Sequence, residues 1–568
     1  MALRHVTPLT LRPAGISDAL DGSTVFAGAM ALLANLIPDP STKNLWQCRP
    51  AAVRIIDFLT SGGPFSSGFS SGFQIGFSQN SGFISALQVD GSRAYGMVAT
   101  DRNLGRDEPF IYDLVTNSFV LLGGTIDSVT TPLSPPTTGA WTPPTMSLVG
   151  TKLMVTHPGF TGVGGSFIGW FDLTNPAAPT WNAGNIGPGI VFTVAPTAVQ
   201  QFGNRAYYAH NPSSGQPSLI FSDVLNATVV TNANQALTFG DTVPLNALGA
   251  LPFKNITGGI VQSLVVFKAN PASAASTMQM FSVTGDSAAN NLAQNAFSVP
   301  TGTLAPNTVV SVPQGLMFIA PDGLRIIDAS GQISDPIGYD GAGKALPFLF
   351  SVVPSRMCAA CNGNVLRISV QDGSLVNSPN KEYWLDLVRK NWSGPHSFPA
   401  SLIAPYGNTF IMSPIGVLAS LWQSDVIQSS TSSFTENSVP LTWDWVTCML
   451  PDTDQMAEYA MVESTIHMQL VGGLSPFTFF ALDQNGNILD TVSVTTTGGA
   501  TVWGGFTWGA AVWGGAQNAL FPRRLPWTKP IEFRRLQIRG TGQSALGVRI
   551  STLHMRYQKL GYLQVDAA

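Results

Sequence analysis

A weak internal repeat constrains the fold of this chain more than any other sequence feature. In each copy an apolar strand enters a turn that usually contains glycine, a second apolar strand follows, and a third strand closes the unit. The turns lie at Asp90-Gly91, Gly150, Gly203-Asn204, Gly315, Asn362-Gly363 and Gly407-Asn408, with one further copy at residues 261–269 that lacks the glycine. Successive turns are about 45–60 residues apart, and such a period with about four strands a copy predicts β-propeller blades.

The strands that close the copies resemble one another. Tyr112-Asp113-Leu114 precedes Phe119, Phe171-Asp172-Leu173 precedes Trp181, and Trp384-Leu385-Asp386-Leu387 precedes Trp392. We expect the aspartate of each unit to turn the chain and the following aromatic residue to fill the space between neighbouring sheets. About seven such copies fall between residues 80 and 430, which predicts a propeller-like central domain.

The composition agrees with a β-rich chain and suggests an assembled one. Of 568 residues 44% are hydrophobic, which supports a large core and excludes a disordered chain. Only 11% are charged, against roughly 25% in an ordinary soluble domain. A chain that hides much of its surface against other subunits needs few charges, although an extracellular β protein can also have few.

The regions on either side of the repeat differ from it in residue pattern. Residues 1–80 read as an N-terminal arm with a short helix at 25–36, and residues 437–568 read as a sandwich with a hairpin around Asn485-Gly486. We therefore predict an all-β chain with three parts. These are an arm packing on the platform (1–80), a β-propeller-like central domain (81–436) and a C-terminal β-sandwich platform domain (437–568), which the arm helps to form.

No residue pattern points to catalysis or to a cofactor. Phosphate-loop and zinc-protease motifs are missing from the sequence, and the six histidines are scattered singly. Cys358 and Cys361 could suggest a metal or redox pair, but they lie in a strand–turn–strand pattern, where buried free thiols are the expected state. We predict no enzyme, no catalytic residue, no cofactor and no metal. No apolar run reaches 18 residues, so no membrane anchor is expected.

Charge is concentrated near the C-terminus. Residues 523–559 hold nine basic residues and one acidic residue, so this window carries +8; because the whole chain carries −4, the remainder carries −12. A basic patch can bind nucleic acid or dock on an acidic protein, and docking is favoured here because the window has no aromatic stacking platform interleaved in a nucleic-acid pattern. The candidate docking residues are Arg523, Arg524, Arg534, Arg535, Arg539, Arg549 and Arg556.

Both ends of the chain resemble one known family. Residues 28–35 (Gly-Ala-Met-Ala-Leu-Leu-Ala-Asn) lead to 45–50 (Leu-Trp-Gln-Cys-Arg-Pro), and residues 533–540 (Phe-Arg-Arg-Leu-Gln-Ile-Arg-Gly) lead to a Tyr557…Leu560-Gly561 ending. These segments are similar to the arm and the C-terminal strands of the tail tubular proteins (tail nozzle or hub) of short-tailed bacteriophages.

The resemblance implies a virion structural protein of the tail, assembled in the host cytoplasm. Its copies would form a homo-oligomeric ring of six below the head-to-tail adaptor protein, with tail fibres or a needle as further partners. The ring would form the ejection channel, through which genomic DNA passes without sequence-specific binding. An acidic remainder suits such a duct, because it avoids phosphate contacts.

The alternative function belongs to a different class. A carbohydrate-binding or polysaccharide-degrading β-propeller for host recognition would use exposed aromatic residues as stacking platforms, with Trp503, Trp508 and Trp513 as candidates. A carboxylate or histidine cluster at one mouth of the propeller would favour this alternative. A wide bore of one sign of charge would favour the tube.

Overall fold

Six small antiparallel sheets and four strands of a nine-stranded sheet follow one another along the chain as seven blades in the computed structural model. The nine-stranded sheet and a seven-stranded sheet join the chain ends, and two two-stranded sheets pair Gly187–Pro188 with Val229–Val230 and Thr435–Glu436 with Val439–Pro440. The structure describes residues 6–11, 30–39, 42, 45–57, 84–101, 106–122, 126–127, 143–254, 260–270, 278–286, 291–337, 354–371, 380–398, 400–414, 420–427, 432–436, 438–450, 457–470, 476–495, 521–543 and 547–562. Over these ranges the only helices are three 3-10 turns, Val163–Gly165, Pro306–Thr308 and Pro354–Arg356. None of the described helices is long and apolar enough to cross a membrane.

The strands preceding the repeat come from the arm. They are β1 (Val6–Leu11), β2 (Met30–Ala34), β3 (Leu36–Pro38), β4 (Trp46–Cys48) and β5 (Val53–Asp57). The first three blades contain β6 (Ile84–Asp90), β7 (Arg93–Asp101), β8 (Arg106–Asp113), β9 (Ser118–Leu121) and β10 (Ile126–Asp127); β11 (Thr145–Val149), β12 (Lys152–Thr156), β13 (Ile168–Asp172), β14 (Thr180–Gly184) and β15 (Gly187–Pro188); and β16 (Ala198–Phe202), β17 (Arg205–His210), β18 (Ser218–Phe221), β19 (Val229–Val230) and β20 (Ala236–Thr238).

The remaining four blades continue in the same order. They contain β21 (Leu245–Lys254), β22 (Ile260–Lys268), β23 (Gln279–Asp286) and β24 (Asn291–Ala296); β25 (Val310–Val312), β26 (Gly315–Ala320) and β27 (Gly323–Asp328); β28 (Cys358–Asn362), β29 (Val365–Gln371), β30 (Asn380–Asp386) and β31 (Asn391–His396); and β32 (Ala400–Tyr406), β33 (Thr409–Pro414) and β34 (Ser420–Asp425).

The C-terminal strands build the platform. They are β35 (Thr435–Glu436), β36 (Val439–Pro440), β37 (Thr442–Thr447), β38 (Ala457–Leu470), β39 (Pro476–Asp483), β40 (Ile488–Thr495), β41 (Phe521–Arg524), β42 (Ile531–Phe533), β43 (Leu536–Gln543) and β44 (Val548–Tyr562).

The first strands of neighbouring blades are linked to each other. The N–H groups of Val199 and Gln201 in the third blade donate to Thr145 Oγ1 and Ser147 Oγ in the second, at 2.9 and 2.7 Å. The seventh blade packs on the first, where Ile411 shares an apolar cluster with Ile84. The arm strand β5 pairs with β34 and completes the seventh blade, so the two ends of the repeat are fastened together.

The third strand ends in aspartate in six of the seven blades, and in the third blade Asp223 follows that strand by two residues. Asp113 accepts hydrogen bonds from the N–H groups of Val115 and Thr116 at 3.0 and 2.9 Å, and Asp386 caps the same turn in the sixth blade. Trp181 packs edge-on against Phe171, with ring centroids 5.0 Å apart. The hairpin between the first two strands of the third blade needs positive φ at Gly203 (53°) and Asn204 (59°), which glycine and asparagine tolerate best.

The platform consists of two sheets that share one apolar core with the fifth and sixth blades. One sheet has seven strands, in the order β3-β4-β44-β38-β41, with β1 on β44 and β42 on β38. The other has nine strands, because the arm strand β2 pairs with both β31 of the sixth blade and β37 of the platform. The all-β fold with a propeller-like centre and a sandwich platform built from both chain ends is thus confirmed, while the predicted boundaries at residues 80 and 436 stay predictions.

The predicted helix at residues 25–36 is wrong where the structure describes it. Met30–Ala34 is a strand, and Leu33 lies opposite Trp445 of β37. Asn35 then takes φ 56°, which ends the strand and starts the short strand Leu36–Pro38. Pairing with two flanking strands outweighs the good helix propensity of the alanines, leucines and methionine.

A buried polar cluster fastens the arm to the rest of the chain. The guanidinium of Arg49, whose side chain is 0% exposed, donates to Asn35 Oδ1 (2.8 Å), Ser397 Oγ (3.1 Å) and Glu436 Oε1 (2.7 Å). The backbone N–H of Asn35 donates to Nδ1 of His396 at 3.0 Å. Arm, sixth blade and the segment leading to the platform meet at these groups.

The lowered pKa of His396 predicts that the protein loses stability in mild acid. Burial, assisted by Arg49 and Arg367, holds the pKa of His396 well below its usual range, so the unfolded chain binds the proton first. The stabilising contribution is present above about pH 6.5 and is lost as the pH falls below it, by at most about 1.4 kcal/mol per pH unit. Urea unfolding measured in steps from neutral to acid pH checks this.

A matched variant isolates the contribution of this histidine. Gln can accept the Asn35 N–H through its amide oxygen but does not titrate, so His396→Gln should unfold with a shallower pH dependence than the wild type. Burial also lowers the pKa of His210, so part of the slope should persist. An unchanged slope in His396→Gln would contradict this assignment.

Candidate docking edge and central channel

The structure divides the seven predicted docking arginines between two sheets. Arg523 and Arg524 lie on β41, and Arg549 and Arg556 lie on β44, all in the seven-stranded sheet. Arg534 and Arg535 follow β42, also of that sheet, and precede β43. Arg539 lies on β43 in the nine-stranded sheet.

Two arginines are brought together around one carboxylate. Glu463 lies on β38, between the strands that carry Arg524 and Arg556, and its carboxylate is 3.8 and 3.5 Å from their guanidinium groups. These two side chains are 73% and 63% exposed. Arg523 is exposed next to Arg524 and makes no ion pair with any residue in the described ranges. We call Arg523, Arg524 and Arg556 the basic edge; with Glu463 it carries a net charge of +2.

The other arginines have partners inside the protein. Arg539 binds Asp444 through two nitrogens, at 2.9 and 2.5 Å, and this carboxylate raises the pKa of Arg539. Arg549 lies 3.9 Å from Asp39 of the arm, and Arg534 lies 3.5 Å from Glu458. Asp444 and Asp39 are distant in sequence from the basic window, so no local pattern could have separated these structural arginines from the basic edge.

A cavity, which we call the central channel, lies between the first strands of the seven blades. It has a volume of about 460 Å³ and is lined by residues on or directly beside the first strand of each of the seven blades, β6, β11, β16, β21, β25, β28 and β32. None of the residues described along it carries a charge, and none is aromatic. The channel therefore shows neither a bore of one sign of charge nor a carboxylate or histidine cluster.

The two central cysteines lie on β28 and line this channel. Cys358 is buried and Cys361 is partly buried, and both are free thiols. Burial raises the pKa of Cys361 to about 11 and raises that of Cys358 further. Both groups are thus neutral thiols at neutral pH, with little thiolate for metal binding or redox chemistry.

Two buried clusters combine serine and histidine. At the boundary of the first two blades Asp107 Oδ2 accepts hydrogen bonds from Ser85 Oγ (2.5 Å) and His157 Nε2 (2.7 Å). His157 Nδ1 accepts the Gly159 N–H, which leaves the ring proton on Nε2. The carboxylate lies between serine and histidine, so the histidine cannot take a proton from this serine directly.

The second cluster lies in the sixth blade. Ser393 Oγ is 3.3 Å from His396 Nε2, and both residues are buried. Because Nδ1 of His396 accepts the Asn35 N–H, the neutral ring carries its proton on Nε2 and donates toward the serine. In both clusters the hydrogen-bond roles are those of a structural link. Sequence spacing could not have found either, because one joins two blades and the other depends on the arm.

Comparison with known proteins gives matches among solved structures only. No family model matches the chain, and no curated protein does. Among solved structures, the chain is similar to the β-propeller domain of the Trilobed protease from Pyrococcus furiosus (8% identity, TM-score 0.35, covering 61% of this chain and 96% of that one). It is also similar to the acylaminoacyl peptidase of Pyrococcus horikoshii (8%, 0.34) and to a puromycin-hydrolysing peptidase of Mycobacterium tuberculosis (11%, 0.37). Each comparison covers 64% of this chain, which spans 57% of the length of each of these two peptidases.

These comparisons overturn two predictions. The three solved structures named above belong to a protease and two peptidases, and on this finding the prediction of a tail-tube subunit forming a DNA ejection channel is wrong. The prediction that the chain is not an enzyme is wrong on the same finding. At such low identity the likeness concerns the fold alone and assigns no substrate or catalytic residue to this chain. The resemblance of both chain ends to tail tubular proteins, and the partners that it implies, stay predictions.

Proposed function

We propose that this protein assembles with copies of itself, the basic edge of one copy docking on the propeller of the next. The basic edge carries this proposal, because Arg524 and Arg556, both more than 60% exposed, share one glutamate, and the exposed Arg523 is next to Arg524 in the chain. A cationic surface of this kind is attracted to a surface of opposite charge. The chain outside the basic window carries −12, so a second copy provides such a surface.

The aspartates of the blades supply an acidic rim for this contact. Asp113, Asp172, Asp328, Asp386 and Asp425 end the third strands of five blades, and Asp223 follows the third strand of another by two residues. Because these positions are equivalent, they lie on the same face of the propeller. Hydrogen bonds from the following turns lower the pKa of Asp113 and Asp172, which keeps both charged. We call these six residues the acidic rim.

Joining a basic edge to an acidic rim is a heterologous contact, because each copy offers two different surfaces. Such contacts give closed rings when the rotation between copies closes, and open filaments when it does not. The contact should be salt-sensitive, since exposed charges are screened over about 8 Å at physiological ionic strength.

Reversal of the basic edge tests the proposal. Arg523→Glu/Arg524→Glu should raise the dissociation constant of the assembly by about tenfold or more, because like charges then face the acidic rim. Light scattering on a sizing column measures the mass as a function of protein concentration. Circular dichroism should show an unchanged fold, since both side chains are exposed.

A charge-matched control lies on the propeller. Arg54→Glu/Lys390→Glu changes the net charge by the same amount at two exposed residues outside the basic edge, and it should leave the assembly intact. A wild-type chain that is monomeric at every concentration and low salt, or equal effects of the two variants, would overturn the proposal. Capture of a different acidic protein by a monomeric chain would assign the basic edge to another partner and would also overturn it.

A further inference from the structure

The central channel has the size of a ligand site. Small-molecule sites usually measure about 300–1,000 Å³, with apolar walls and a few placed polar groups. The volume here is about 460 Å³, and Leu87, Met146, Leu248 and Leu402 are among the apolar residues of its walls. All seven blades contribute to the walls, so the site exists only in the closed propeller.

The polar groups of the channel differ in whether they are already satisfied. Thr145 Oγ1 accepts the N–H of Val199, Gln200 donates to the carbonyl of Gln201, and Ser311 donates to the carbonyl of Ala250. The side-chain amides of Gln88 and Asn307, both partly buried, have no hydrogen-bond partner among the residues that the structure describes. Each amide offers two donors and one acceptor to whatever occupies the channel.

These features select against several classes of ligand. A charged ligand would lose its hydration without meeting an opposite charge, which is costly in an apolar site. Binding of a sugar ring usually draws on aromatic stacking, and no aromatic side chain lines the described walls. A metal ion would meet no carboxylate or histidine there, and the two thiols are protonated.

We propose that the channel binds an uncharged, largely apolar ligand that carries amide groups, such as a short peptide segment, with Gln88 and Asn307 as its hydrogen-bonding residues. A ligand with amide groups offers N–H and C=O groups as hydrogen-bond partners for these two side chains. The apolar side chains of the ligand would contact the walls. This site is independent of the basic edge, since none of its lining residues belongs to the platform.

Capped tripeptides provide a direct test. N-acetyl-Leu-Gly-Leu-amide is neutral, while N-acetyl-Leu-Asp-Leu-amide and N-acetyl-Leu-Lys-Leu-amide place one charge at the centre of the same scaffold. Calorimetric titration of the full chain should give saturable binding of the neutral peptide and at least about tenfold weaker binding of both charged peptides. Slower modification of Cys361 by methyl methanethiosulfonate in the presence of the neutral peptide would locate it in the channel.

Two variants separate the amide contacts from the fold. Gln88→Leu/Asn307→Leu keeps similar side-chain volumes and removes both amides. It should therefore weaken binding of the neutral peptide by about tenfold or more. Gln200→Leu removes an amide of the same channel that is already hydrogen-bonded, and it should weaken binding less. No binding of the neutral peptide, equal binding of the charged peptides, or equal effects of the two variants would overturn the proposal. Thermal unfolding confirms that each variant is folded.

Discussion

Arg49→Met is expected to destabilise this protein by about 3–5 kcal/mol, because removing one member of a buried charged network leaves its partners unsatisfied. Arg49 is fully buried and binds the side chains of Asn35, Ser397 and Glu436 together with the carbonyl of Pro50. Methionine fills part of the space but offers no donor, so the Glu436 carboxylate loses its cation. Urea unfolding followed by tryptophan fluorescence measures the loss.

The matched comparison is an arginine whose ion pair is loose and exposed. Arg524→Met removes a guanidinium that is 73% exposed and 3.8 Å from Glu463, and it should cost less than about 1 kcal/mol. Equal losses in the two variants would mean that Arg49 does not fasten the arm. In addition, limited proteolysis should cleave the N-terminal arm faster in Arg49→Met, because β2 and β5 pair with strands on either side of this cluster.

Breaking the buried pair of Arg367 and Glu382 in the sixth blade should cause a loss of stability similar in size to that of Arg49→Met. Unlike that loss, this one should be reversed by replacing the second partner as well. Both side chains are 0% exposed, and Arg367 Nη2 lies 2.9 Å from Glu382 Oε2 while Nε contacts the other carboxylate oxygen. The guanidinium also lies 4.2 Å from the ring centre of Trp384 and 5.0 Å from that of Phe410. Glu382→Leu alone should destabilise by about 3–5 kcal/mol, since it leaves a buried cation without its anion.

Replacing both partners should restore most of this loss. Arg367→Met/Glu382→Leu removes both charges and keeps an apolar filling beside Trp384 and Phe410, so the double variant should be more stable than Glu382→Leu. The coupling free energy from the complete cycle of variants, measured by urea unfolding, checks this. A double variant whose loss equals the sum of the two single losses would contradict a direct interaction between the pair.

The propeller could be predicted because its information is local. Six of the seven blades repeat a hairpin followed by a third strand that ends in aspartate, and Asp113, Asp172 and Asp386 cap their own turns within a few residues. Even the fifth blade, which has three strands in its described residues, keeps this ending at Asp328. Because each turn is capped by a residue close to it in sequence, the pattern can be recognised even though the copies have little sequence identity.

The arm could not be predicted at the same level, because its structure depends on distant partners. Leu33 lies opposite Trp445, and β5 completes a blade whose other strands begin at Ala400. An apolar run of about seven residues does not distinguish a helix from a buried strand by its pattern alone. The strand that contains Leu33 is therefore determined by tertiary pairing, which overrides intrinsic preference.

The same difference between local sequence information and distant partners applies to the candidate sites. The charge of the basic window is visible in the sequence, but the distinction between Arg539, which binds Asp444, and the exposed Arg523 appears only once the two sheets are formed. The channel has no sequence signature at all. Its two side-chain amides without a hydrogen-bond partner among the described residues, those of Gln88 and Asn307, come from the first and fifth blades. Their isolated positions in the sequence resemble ordinary surface residues.

Self-assembly through the basic edge and the acidic rim is tested most directly by mixing two variants, each with one surface reversed. Arg523→Glu/Arg524→Glu leaves the acidic rim intact, and Asp172→Lys/Asp328→Lys leaves the basic edge intact. Neither variant should assemble alone at low salt, whereas an equimolar mixture should form complexes, detected by light scattering on a sizing column. A mixture that remains monomeric although both variants are folded and the wild type assembles would contradict a contact between these two surfaces.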